Sequence, residues 1–130
     1  MVRIDGLGAL RALAAIRLVN GVLGLFAPGV LVRRLGGDPR RQPVALYPFR
    51  MFGVRTVVVG SDLLLLRGTE LERVVRQAVA IHACDTASAL LGGVRREVPP
   101  RTAVMTTAIS AVNTALAVAA LRGRVWEKAG

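Results

Sequence analysis

The chain has 130 residues and a mass of 13.8 kDa, which is about one domain and argues against a two-domain enzyme. Apolar residues make up 53% of it, the mean hydropathy is +0.51 and 20% of residues are charged, values too apolar for a disordered chain and high for a water-soluble one. The net charge of +10 comes from 17 Arg and one Lys, Lys128, set against eight acids. Aromatic residues amount to only 4% and the bases flank apolar segments instead of forming one stripe, so nucleic acid is not an expected partner. The single cysteine, Cys84, excludes an intramolecular disulfide framework.

A helix needs roughly 20 mostly apolar residues to cross about 30 Å of hydrocarbon, and four segments meet that pattern. The first runs from about Gly6 to Phe26, with Asp5 placed to cap it and Ala27-Pro28-Gly29 to stop it. Arg11 and Arg17 interrupt it and no small-residue cleavage site follows, so it reads as a mature helix rather than a signal peptide. Residues 27 to 47 form a longer basic connection, in which Val30 to Leu35 reads either as one or two interfacial turns or as a solvated loop. The second segment begins at Pro48 and ends near Arg67. Thr69 to Glu72 has the form of a capping box, opening a third segment over 70–91 that should end at Gly92-Gly93. Thr102 is the expected cap of the fourth, Ala103 to Leu121, with Trp126 beyond it as an interfacial anchor. The expected fold is therefore all-α: a single integral membrane domain over residues 1–130, a four-helix bundle with short connections and one longer basic loop between its first two helices.

Flanking bases do not orient this arrangement. Arg3, Arg11, Arg67, Arg73, Arg76, Arg122, Arg124 and Lys128 lie on the side of the termini. Arg33, Arg34, Arg40, Arg41, Arg50, Arg95, Arg96 and Arg101 lie opposite, an equal number. The tie is compatible with an antiparallel homodimer, and equally with Arg being abundant throughout.

Each segment carries polar side chains near mid-depth, where Arg or Asp costs about 2.5 to 3.5 kcal/mol by insertion scales. They are Arg17 and Asn20, Arg55 and Asp62, His82 and Asp85, and Asn113 with Ser110 and Thr106. At 100° per residue each set falls on one helical face. Facing these stripes inward would pair two cations with two anions and form a binding site from Arg17, Asn20, Arg55, Asp62, His82, Asp85 and Asn113. Small residues, Ala80-Cys84-Ser88-Gly92 at spacing four and Ala108-Ala111-Ala115-Ala119 at spacings of three and four, offer faces for close approach between helices or protomers.

His82 and Asp85 are the pair that proton transfer would use, but no nucleophile accompanies them and no catalytic residue is assigned. Cys84 lies about 200° round the helix from His82 and serves as a packing residue. A metal site is not expected, because His82 is the only histidine, and no phosphate loop, dinucleotide fingerprint or other cofactor motif is present.

The stretch Arg50-Met-Phe-Gly-Val-Arg55, with Gly60-x-Asp62 and Ile81-His82-Ala-x-Asp85, resembles small four-helix bacterial membrane proteins of DoxX-like type. The resemblance implies a multi-pass protein of the bacterial cytoplasmic membrane and treats Arg55, Asp62, His82 and Asp85 as one constellation; it supplies no substrate. The leading functional expectation is binding or transport of a small lipophilic molecule by its polar end. The alternatives are an accessory subunit of a larger membrane complex, an intramembrane isomerase using His82 and Asp85, and a soluble bundle. The bilayer, a second copy or a larger complex are the expected partners.

Overall fold

The computed structural model describes residues 5–128, which are helical with no strand among them. Six α-helices follow one another: α1 (Gly6–Phe26), α2 (Pro28–Arg34), α3 (Leu46–Leu65), α4 (Gly68–Val94), α5 (Pro100–Arg122) and α6 (Val125–Lys128). A 3-10 turn, Pro43–Ala45, leads into α3. Four of the helices are long, as the apolar segments require, and α2 and α6 are additions to the expected four. Two of the long helices, α1 and α5, are long and apolar enough to cross a membrane. The other two depart from that description: Arg50, Arg55 and Asp62 interrupt α3 with charge, and in α4 four charges crowd the first turns while Gln77, His82 and Asp85 lower the hydropathy of the rest.

The helix ends show which local signals govern. Asp5 caps α1 as expected, its carboxylate accepting from the Gly8 amide at 2.6 Å. The capping box at Thr69 does not form, because α4 starts a residue earlier at Gly68, whose φ of +55° suits glycine. Glu72 turns instead to Arg76, one helical turn on, at 2.7 Å. Thr102 does not cap α5 either; Pro100 occupies the first turn, and the Thr102 hydroxyl donates to the Leu35 carbonyl at 2.8 Å. That bond ties α5 to the end of α2. The Val30–Leu35 stretch is thus helical and not a solvated loop, and its buried Leu31 and Val32 explain why.

Two glycine contacts set the packing. A Cβ on Gly53 would lie 2.7 Å from the Gly21 carbonyl oxygen and the Gly24 carbonyl carbon, so α3 crosses α1 backbone to backbone. Gly92-Gly93 does not terminate α4, which continues to Val94 and closes with Arg96 at φ +57°. Gly93 is needed for proximity: a Cβ there would meet that of Ala103 in α5 at 2.7 Å. The predicted small-residue stripes are not used for contacts of this kind, since Ala80, Cys84, Ser88, Ala108, Ala111 and Ala115 are exposed.

Within the packing, α1 lies mainly on α3 and α4 on α5, while α1 and α5 join the two pairs and α1 and α4 stand diagonally across. The apolar core sits at the end near the termini, around Leu10, Leu13, Leu63, Leu71, Val75, Ala117, Ala120 and Val125. Trp126 is partly buried against this core, so its ring belongs to the packing at that end. Away from it the polarity reverses. Val19, Phe26, Val58, Leu90, Val94, Val104, Ile109 and Val112 are exposed on the outside, and the polar residues lie within.

Candidate functional site

Just beyond the core is a cavity of about 230 Å³ among α1, α3, α4 and α5. Six of the seven predicted site residues line it: Arg17 and Asn20 from α1, Arg55 from α3, His82 and Asp85 from α4, and Asn113 from α5. Ser110 also belongs to the wall, whereas Thr106, the third member of its stripe, bonds back to the Thr102 carbonyl at 2.8 Å. Thr56, which the sequence reading passed over, lies in the wall and is buried. Its signal was there to see, one residue after Arg55 and the only hydroxyl in the middle of a Val-rich run.

The exception is Asp62. Spacing seven puts it on the same stripe as Arg55 but about 10 Å further along α3, at the level of the packed core. It is half-buried, lies outside the cavity and forms no ion pair among the described residues. The expected pairing of two cations with two anions is corrected accordingly. Arg55 is within salt-bridge distance of neither Asp62 nor Asp85, and Arg17 meets a histidine instead of a carboxylate. Nor is the constellation uniformly buried. Arg17, His82 and Asn113 are buried, while Arg55 and Asp85 are exposed and form the mouth.

At its base, Arg17 reaches across the diagonal, and its Nη1 donates to His82 Nε2 at 2.7 Å. A guanidinium has donors only, so Nε2 must offer a lone pair. His82 is therefore the neutral tautomer with its proton on Nδ1, and that nitrogen lies 3.7 Å from Asp85 Oδ2, beyond a direct hydrogen bond. The imidazole is held from one side by a cation and approached from the other by a carboxylate.

Two buried polar atoms in this cluster have no hydrogen-bond partner among the described residues, Arg17 Nε and Asn113 Oδ1. Such atoms are uncommon in native interiors and each carries a desolvation cost of about 1 to 3 kcal/mol. In a polar cavity wall such atoms are satisfied by water or by a bound group. Cys84, two residues from His82, is exposed and takes no part. No group of three His, Cys, Asp or Glu side chains among the described residues is arranged to hold a metal ion. The stretch from Arg50 to Arg55 contributes three separate features: Gly53 makes the close crossing with α1, Phe52 a wall of the cavity and Arg55 its mouth.

No protein-family model matches the chain, and no curated protein or solved structure is significantly similar to it.

Proposed function

We propose that this chain is a multi-pass membrane protein, a four-helix bundle whose polar cavity binds a small lipophilic molecule by its polar end. The observation that carries the reading is the inversion of polarity around the cavity. Buried Arg17, His82 and Asn113 sit inside a shell whose outer residues at the same level include Val19 at 60%, Val58 at 54% and Val112 at 54% exposure. Scattered apolar residues are ordinary on water-soluble proteins, but exposed apolar residues on all four long helices, broken at this level by Arg55 and Asp85 at the cavity mouth, support a hydrocarbon surrounding.

The spacing of charges supports the same reading. Nineteen residues separate Arg76 from Arg95 along α4, and 21 separate Arg101 from Arg122 along α5. At 1.5 Å per residue these are about 28 and 32 Å, close to the roughly 30 Å thickness of a hydrocarbon core. Long Arg side chains reach toward head groups from such positions. The acids and bases at the start of α4 then lie at head-group level, which accounts for the length of that helix. The DoxX-like resemblance agrees with a bacterial cytoplasmic-membrane location.

Native mass spectrometry of the protein purified in mild detergent tests the binding role. A small molecule retained at about one per chain, and lost in Arg55→Leu and His82→Ala variants that keep their helical circular dichroism, is the expected result. Equal retention in wild type and both variants would remove the cavity from the function.

A further inference from the structure

The cavity carries more positive than negative side chains in its wall. Its charged wall residues are Arg17, Arg55 and Asp85, and His82 is neutral because it accepts from Arg17, so the net charge lining the cavity is +1. Arg17 is only 6% exposed, and its one hydrogen-bond partner among the described residues is that uncharged imidazole. Asp85, exposed at the mouth, sets one carboxylate against two guanidiniums, so one positive charge at the cavity is left without a counter-charge, and hydrocarbon outside the bundle offers none. We infer that a carboxylate or phosphate-monoester head supplies the counter-charge, seated between the Arg17 and Arg55 guanidiniums, whose planar forks suit two-oxygen acceptors. The inference rests on the reading of this cavity as a ligand site and goes further by naming the chemistry of the head.

Size fixes the rest of the molecule. At about 230 Å³ the cavity falls below the roughly 300–1,000 Å³ of sites that enclose a drug-sized ligand. It accommodates a head and a few carbons, and an aliphatic tail leaves past Phe52 and Ile109, which are both cavity wall and exposed surface. Asp85 opposes an anion from the mouth, 3.7 Å from the far side of the imidazole. It therefore moderates affinity. Asn113 presents either its amide oxygen or, after rotation, its N–H, so it suits the head in either sense.

The test is saturable binding of radiolabelled decanoate to the full chain in phosphatidylcholine nanodiscs, with protein-free nanodiscs as background. Decanol, decylamine, decyl phosphate, acetate and inorganic phosphate are the competitors. Decanoate and decyl phosphate should bind at about one per chain, at least about tenfold tighter than decanol, with acetate and inorganic phosphate ineffective. Arg17→Leu and Arg55→Leu should each weaken decanoate about tenfold or more. Asp85→Asn, at an exposed position where folding is not at stake, should strengthen decanoate about threefold and weaken decylamine. That gain is one a purely structural role would not produce. Decanol binding as tightly as decanoate would overturn the oxyanion inference and leave the cavity a ligand site. Tightest binding of decylamine, or competition by acetate or inorganic phosphate as strong as by decanoate, would also overturn it. Absence of saturable binding by every amphiphile would overturn both this inference and the reading of the cavity.

Discussion

The bond between Arg17 and His82 joins residues 65 positions apart on diagonal helices, and its contribution to stability is measurable by a double-mutant cycle. His82→Leu removes the one acceptor that the buried guanidinium has among the described residues, and Arg17→Leu removes the donor that satisfies His82 Nε2. In membrane proteins, cycles on interhelical hydrogen bonds average about 0.6 kcal/mol and reach about 1.7. Charge-assisted bonds are roughly twice as strong as neutral ones, so this one belongs in the upper part of the range, at about 1 to 1.7 kcal/mol. The assay is reversible unfolding by dodecyl sulfate in mixed micelles, followed by circular dichroism for wild type, the two single variants and Arg17→Leu/His82→Leu. The double variant should be less destabilised than the sum of the singles by that amount. Additivity within about 0.3 kcal/mol would show that the two side chains do not interact, and the tautomer assigned to His82 would lose its basis.

Gly53→Ala drives a methyl group into the backbone of α1, and overpacking of this kind costs about 1 to 3 kcal/mol in the same assay. Gly60→Ala, which meets only side-chain atoms of Leu18 and Arg17 at 3.1 to 3.3 Å, should cost less; the reverse order would contradict the α1–α3 crossing. Thr102→Val removes the bond to the Leu35 carbonyl, so amide exchange should quicken around residues 35–37 while α4 is unaffected. No change there would mean that α2 is held by Leu31 and Val32 alone. Cys84 is a native depth marker: exposed on the outer face of α4, it should resist a water-soluble maleimide in intact vesicles and react after denaturation. Rapid labelling in vesicles would place that face in water and refute the membrane reading.

Much of this molecule was legible along the chain because the determining physics is local. Apolar length set the four long helices, and Asp5 set the start of the first. Helical spacing brought Arg17 with Asn20, and His82 with Asp85, onto common faces; six of the seven residues singled out line one cavity. Arg3, counted among the flanking bases, lies outside the described residues.

What the chain alone left open depends on distances between helices. Periodicity gives the face a residue occupies but not its height relative to a neighbouring helix, so Asp62 shared a stripe with Arg55 and still lies at the level of the core, about 10 Å away along the axis. Thr102 and Gly93 carry ordinary signals for starting and ending helices, yet both serve contacts with a neighbouring element, to the Leu35 carbonyl and to Ala103. Opposite charges suggested ion pairs, but the diagonal brought Arg17 to His82. Local patterns assign each side chain a direction; only the crossing of helices decides which atom it meets.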